Sequence, residues 1–62
     1  MIVKFDDKTY QFDKRMTVRR LLEELRLNPE AHIVIVDGQI KTPDIVISET
    51  SEVRIVRAVS GG

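Results

Sequence analysis

Short apolar runs alternate with polar segments along this chain, and their spacing predicts its elements. Residues 2–5 and 9–12 are runs of β-branched and aromatic residues, separated by the polar residues 6–8. Two such runs joined by a short polar turn predict a β-hairpin. The polar residues 13–15 follow, and Met16 is the candidate core residue of this link.

Residues 17–26 carry the pattern of an amphipathic helix. The apolar positions recur at i, i+3, i+4 and i+7, which places them on one face. They are Val18, Leu21, Leu22 and Leu25. Thr17 is the predicted N-cap, because its hydroxyl can accept a hydrogen bond from an amide of the first turn. Asn28 and Pro29 predict the end of the helix, and we expect Leu27 to pack just past it.

The second half of the chain contains three further apolar segments. Residues 33–36 lack polar alternation and end at Asp37-Gly38, which predicts a strand, a turn and a brief return over residues 39–41. Pro43 keeps the next segment out of a central strand, and we expect residues 45–47 to cap the open end of the core. Residues 52–59 alternate again and predict the last strand, with Val53, Ile55 and Val59 on one face.

The order of these elements, β-β-α-β-β-β, limits the topology. A right-handed crossover through the helix brings the last strand beside the first, in the middle of a mixed sheet. This is the β-grasp arrangement, an α+β fold with one helix on one face of the sheet. We expect one domain over residues 1–59 and a flexible tail over residues 60–62.

Composition argues against several classes of function. The 62 residues include ten basic and ten acidic side chains and no cysteine. Zero formal net charge argues against direct nucleic-acid binding. The lone His32 lacks partners for a metal site, so no bound metal is expected. No bound cofactor is expected either. The apolar runs fall far short of the ~20 residues that a membrane helix needs. No signal-peptide pattern follows Met1, which predicts a cytoplasmic protein, and the absence of heptads favours a monomer.

The candidate chemistry lies at Ser60-Gly61-Gly62, directly after the last predicted strand. Glycine has no Cβ and lets another surface approach the backbone closely. Such a tail can enter a narrow channel and present the Gly62 carboxylate to a reagent. The alternative is that the glycines are an incidental chain end. Phosphate-binding loops and nucleophile motifs are absent, so we do not expect the chain to be an enzyme.

A second candidate site is the outer face of the sheet. Four residues form this predicted docking patch: Ile33, Ile35, Val56 and Ala58. The opposite side of the same strand, Val34 and Val36, is expected to cover the helix. Exposed apolar patches mark partner sites, although strands also favour branched residues for their own sake. Arg54 and Arg57 are either solvated charges or groups that steer an acidic partner.

The order of elements, the Thr17-Val18 helix start, residues 36–39 and above all residues 56–62 resemble the ubiquitin-like sulfur carriers. That family includes the small subunit of molybdopterin synthase, the thiamine-pathway sulfur carrier, the carrier for tRNA thiolation and the small archaeal modifier proteins. The resemblance implies that an ATP-dependent, ubiquitin-activating-type enzyme adenylates Gly62, after which a sulfur donor forms a thiocarboxylate. It also implies that the activating enzyme recognises Ser60 and Gly61.

The resemblance implies two kinds of partner, the adenylating enzyme and a sulfur-accepting synthase or target protein. Two alternatives stay open. In one, the protein is a modifier joined through Gly62 to substrate lysines. In the other, it is a passive adaptor whose sheet face binds a partner and whose glycines are incidental.

Overall fold

The strands of the protein assemble into one twisted sheet and one small ribbon. We describe a computed structural model in which residues 1–58 are placed; the predictions for Val59 and for residues 60–62 lie outside these described residues. Over residues 1–58, five strands form a sheet in the order β2-β1-β7-β4-β5, and β3 pairs with β6. The elements are β1 (Ile2–Phe5), β2 (Lys8–Gln11), β3 (Met16–Thr17), α1 (Val18–Glu24), β4 (His32–Val36), β5 (Gln39–Lys41), β6 (Val46–Ile47) and β7 (Glu52–Arg57).

The last strand occupies the middle of the sheet, as the sequence predicts. β7 runs parallel to β1, with Val53 opposite Val3, and antiparallel to β4, with Ile55 opposite Val34. Its two neighbours are therefore an early strand and one that follows the helix. The predicted β-grasp, an α+β fold, is confirmed.

The core lies between one face of the sheet and the helix. Its buried members come from every second strand residue and from the apolar stripe of α1, the two periodicities seen in the sequence. They are Met1, Val3, Met16, Val18, Leu21, Leu22, Val34, Val36, Ile47, Val53 and Ile55. Phe5, Tyr10, Phe12, Leu25 and Leu27 are half-buried at its margins. The predictions that Met16 is buried and that Leu27 packs beyond the helix are confirmed.

Two tight turns determine the register of the hairpins. Phe5 pairs with Lys8, so the first turn contains only residues 6 and 7, and β2 begins one residue earlier than predicted. Asp6, the first residue of this turn, has a positive φ of 55°. In the second turn Asp37 and Gly38 have φ values of 49° and 85°. Positive φ at both central residues is the geometry for which Asp-Gly is favoured.

The ribbon of β3 and β6 was not predicted. Met16 pairs with Ile47 across these two-residue strands, and both side chains are buried. The expectation that all of residues 45–47 cap the core is wrong, because Ile45 is 37% exposed and Val46 is 58% exposed. Strands this short leave no periodic pattern, so only the tertiary contact reveals them.

The helix begins at the predicted cap. Thr17 Oγ1 accepts a hydrogen bond from the amide of Arg20 at 3.1 Å, which confirms its role. The amides of Val18 and Arg19 donate to carbonyls in the loop before β6, at 2.9 and 3.0 Å. Because helix starts leave several amides without internal partners, this loop completes the N-terminus of α1.

The helix ends earlier than predicted and by a different device. It stops at Glu24, and Arg26 adopts a left-handed conformation with a φ of 57°. The amide of Leu27 donates to the carbonyl of Leu22 at 2.8 Å, and that of Arg26 to Glu23 at 3.0 Å. These two bonds define a Schellman motif, which ends the helix before Asn28-Pro29 is reached.

Replacing Arg26 by glycine should stabilise the protein, because a left-handed residue with a Cβ is strained and glycine is not. We expect Arg26→Gly to raise the free energy of unfolding by about 0.5–1 kcal/mol, after allowing for the greater freedom of glycine in the unfolded chain. Urea unfolding followed by circular dichroism measures the change. Arg26→Ala is the control, since it removes the guanidinium but keeps the Cβ. A glycine variant no more stable than the alanine variant would contradict the prediction.

Among residues 1–58, no helix is long and apolar enough to cross a membrane.

Candidate functional site

The face of the sheet that points away from the core is the largest candidate surface. We call it the open face, and it consists of the alternate residues of the three central strands. They are Ile2 and Lys4 of β1, Ile33 and Ile35 of β4, and Glu52, Arg54 and Val56 of β7. The core-facing partners Val34 and Val36 are buried, which confirms the predicted assignment of faces in β4.

The predicted docking patch lies on the open face, but in a smaller form than expected. Ile33 lies directly opposite Val56, which is 36% exposed, and Ile33 is itself half-buried. Ile35 lies opposite Arg54, so of the two isoleucines it is Ile33 that pairs directly with Val56. Ala58 follows the end of β7, where its amide donates to the carbonyl of Ala31 at 2.9 Å. The apolar part of the patch is therefore Ile33, Ile35 and Val56, and its docking role stays a prediction.

The structure adds one apolar residue that sequence reasoning missed. Ile40 of β5 lies opposite Ile35 and is 70% exposed, so it extends the apolar surface to the edge of the sheet. A single apolar residue in a polar three-residue strand gives no periodic signal. Only the register between β4 and β5 places it beside the patch.

Arg57 is anchored at the end of the last strand. Its guanidinium donates to Asp6 of the first turn at 2.9 Å and lies 5.4 Å from the centre of the Phe5 ring. The Phe5 ring meets His32 edge-on, with ring centres 5.4 Å apart. An exposed ion pair contributes about 0.2–1 kcal/mol and a cation–π contact about 0.5–1 kcal/mol. Arg57 therefore has a partner within the fold, yet its side chain is 66% exposed, and a role in steering a partner stays a prediction.

His32 and the acidic residues have local structural roles. The Nδ1 atom of His32 lies 2.9 Å from the carbonyl of Asn28, which is the geometry of a hydrogen bond at the start of β4. Within residues 1–58, no group of three or more His, Cys, Asp or Glu side chains could hold a metal ion. The Thr42 hydroxyl, followed by the backbone amide of Asp44, lowers the pKa of the Asp44 carboxyl below its usual value. Asp44 lies in the loop before β6, which is not part of the open face.

The tail residues Ser60, Gly61 and Gly62 lie outside the described residues, and their roles stay predictions. The structure does describe the strand that leads to them, with Arg57 held by Asp6 and Ala58 held by Ala31. Hydrogen bonds to other parts of the fold therefore extend to Ala58, the last residue described before the tail.

Comparison with known proteins identifies the family. The model of the ThiS family matches residues 2–62 of the chain. The chain belongs to the ThiS family. An uncharacterized protein of Archaeoglobus fulgidus is 36% identical to this ThiS family member over 61 residues, which cover 97% of this chain and 90% of that protein. The match confirms the resemblance to ubiquitin-like sulfur carriers that the tail and the order of elements indicate.

Membership of the ThiS family gives the class of function. This ThiS family protein is a sulfur-carrier-type, ubiquitin-like protein, and members of its family are small carriers rather than enzymes. Carriers of this type act with activating enzymes and sulfur-accepting synthases in general.

Proposed function

We propose that this ThiS family protein carries sulfur as a thiocarboxylate on Gly62. The observation that carries the proposal is a family match that extends through Gly62, combined with the absence of cysteine from the chain. Without a thiol, no side chain can hold sulfur as a thioester or persulfide. The α-carboxyl of Gly62 is then the group that can accept it.

The chemistry requires activation of that carboxyl, since a carboxylate is a poor electrophile. A partner enzyme transfers AMP from ATP to the Gly62 carboxylate and releases pyrophosphate. A sulfur nucleophile then attacks the carbonyl carbon, the bond to AMP breaks, and AMP departs with the electron pair. Hydrosulfide as the nucleophile gives the thiocarboxylate directly once its proton is lost. A persulfide instead gives an acyl disulfide, whose S–S bond a thiol of the donor reduces, so that the thiocarboxylate leaves and the donor keeps a disulfide. ATP is bound by the activating enzyme, and the carrier itself supplies the acyl group.

The body of the protein supports this role by holding the base of the tail. The contacts of Arg57 with Asp6 and Phe5 fix the end of β7 relative to the first turn. A fixed base reduces the conformational freedom lost when the tail binds in a channel. Gly61 then supplies a backbone slim enough for that channel, and Ser60 is the first residue that the enzyme contacts beyond the domain.

The open face supports docking of the activating enzyme. Ile33 and Ile35 of β4 present an apolar area together with Val56 of β7, the strand that leads to the tail. Exposed apolar clusters of this kind mark protein interfaces, where a few residues contribute most of the binding free energy. After activation, the sulfur passes to a synthase or target protein in molybdopterin, thiamine or tRNA-thiolation chemistry.

Intact-mass measurement of the protein purified from its native host tests the proposal. We expect a fraction of molecules to gain about 16 Da, the difference between sulfur and oxygen, with fragmentation placing the gain on Gly62. Alkylation with iodoacetamide should add one group to that fraction only, because the chain has no cysteine to react. Branched peptides in which Gly62 is joined to lysines would identify a modifier instead. If neither the thiocarboxylate nor the branched peptides are found under any growth condition, the result supports the adaptor interpretation.

A further inference from the structure

Two basic side chains lie side by side in the middle of the open face. Lys4 of β1 is directly opposite Arg54 of β7 in the parallel register, and both are exposed. Among residues 1–58, the ion pairs are those of Arg20 with Glu23 and Glu24 and that of Arg57 with Asp6. Neither Lys4 nor Arg54 takes part in one. Like charges on neighbouring strands destabilise a sheet, so this pair is unfavourable in the free protein.

The surroundings of the pair do not neutralise it. On its outer sides, Lys4 lies opposite Thr9 and Arg54 lies opposite Ile35, which are both uncharged. Glu52 is on the same face, one alternation before Arg54, but forms no ion pair with it. The Asp37 carboxylate, at the end of β4, accepts a hydrogen bond from the amide of Glu52 at 3.0 Å. The Asp37 and Glu52 carboxylates therefore stand at one end of the face and the Asp6 carboxylate, paired with Arg57, near the other, with the basic pair between them.

The pair also separates two shallow depressions on this surface. One is lined by Ile2, Ile35, Asp37 and Glu52, the other by Asp6, Val56 and Arg57, and Lys4 and Arg54 line both. A ligand that bridges the two basic groups therefore contacts branched apolar side chains on either side.

We propose that Lys4 and Arg54 together bind carboxylates of an acidic, partly apolar segment of the adenylating enzyme. The identity of this partner rests on the proposed function, whereas the chemistry of the surface does not. Polyphosphate or nucleic acid fits less well, because the chain has no formal net charge and the depressions beside the pair are lined by branched apolar side chains. Carboxylates on a strand or loop with apolar neighbours match both the charges and the depressions.

The first test uses stability, which needs no partner. Lys4→Glu converts the like-charge pair into an opposite-charge pair, so the melting temperature should rise by roughly 1–5 °C in low salt, and the rise should shrink in high salt. Lys14→Glu is the matched control, since Lys14 is exposed on the β2–β3 link and makes the same change of charge away from the sheet. A larger fall in melting temperature for Lys4→Glu than for the control would overturn the proposal. It would mean that Lys4 beside Arg54 stabilises the free protein.

The second test maps binding on the full chain by NMR. The probe is a capped peptide that alternates glutamate and leucine, titrated into isotope-labelled protein. We expect amide shifts centred on Lys4, Arg54, Ile35 and Val56, and their loss in Lys4→Glu and Arg54→Glu but not in Lys14→Glu. Inorganic pyrophosphate and bulk tRNA are titrated in parallel. Shifts elsewhere, or equal shifts with either phosphate probe, would overturn the assignment to an acidic protein segment.

The third test measures adenylation by the activating enzyme of the same host. Arg54→Glu should raise the KM for the carrier roughly 10- to 100-fold with little change in kcat, because the charges act in docking and not on the carboxyl. A loss in kcat alone would contradict a docking role. If even the unaltered protein is not adenylated, the proposed function fails, while the peptide titration still decides the chemistry of the surface.

Discussion

Removal of Gly61 and Gly62 should abolish the thiocarboxylate while leaving the fold intact. The buried core is built entirely from residues 1–55, so the truncated chain keeps every core contact described here. The terminal carboxylate would then belong to Ser60. It would lie two residues short of the position that it must reach at the far end of the proposed channel. We expect the rate of adenylation, measured by ATP–pyrophosphate exchange, to fall to background. The 16 Da mass gain should disappear as well.

Two controls make this result specific. Lys14→Ala changes an exposed residue away from the tail and should retain the exchange activity. A variant with one alanine added after Gly62 keeps both glycines but moves the carboxyl, and should be as inactive as the truncation. Circular dichroism should show the same melting temperature for all three forms within about 1 °C, as for surface changes away from packed contacts. A truncated chain that still acquires sulfur would refute the role of Gly62. If the full-length protein never carries sulfur and the truncated chain still binds the partner, the result indicates the adaptor.

Leu21→Ala should remove most of the stability of the domain. Leu21 is completely buried at the centre of the helix face that meets the sheet. Replacing a buried leucine by alanine costs about 2–5 kcal/mol, through lost burial and the cavity that remains. A domain of this length has a total stability of roughly 3–9 kcal/mol, so at the middle of both ranges the loss is more than half of the total. Urea unfolding at 10 °C followed by circular dichroism measures the loss.

Leu25→Ala is the matched control, because it deletes the same atoms from a half-buried position one turn later. Its expected loss is about 1 kcal/mol, since less surface returns to water and solvent fills the space. The two variants should therefore separate clearly in their urea midpoints. Equal losses would mean that the helix end contributes as much packing as its centre, contrary to the observed burial.

Local patterns were sufficient to predict the main elements. The apolar spacing of α1, the Thr17 cap and the Asp37-Gly38 turn all depend on residues within a few positions of one another, and each is found where it was predicted. The end of the helix was predicted incorrectly for the same reason. Asn28-Pro29 is a strong local stop, yet the left-handed Arg26 ends the helix first, and arginine carries no sequence signal for that conformation.

Contacts between distant residues escaped prediction. The ribbon of β3 and β6 joins residues about thirty positions apart through two pairs only, and strands of two residues have no detectable period. Arg57 and Asp6 are likewise 51 positions apart, and their contact depends on the first turn reaching the end of β7. No sequence pattern indicates this pairing, which only the structure reveals.

The candidate site divides in the same way. Sequence alone determined that the chain is a one-helix β-grasp domain, that Gly61 and Gly62 follow the last predicted strand, and that β4 turns Ile33 and Ile35 away from the core. Tertiary structure decided which residues meet across the sheet: Val56 with Ile33, Ile40 with Ile35, and Lys4 with Arg54. The physical reason is that the face of a side chain follows from alternation along one strand, whereas its neighbours depend on the register between strands, and shifting that register by one residue exchanges every partner.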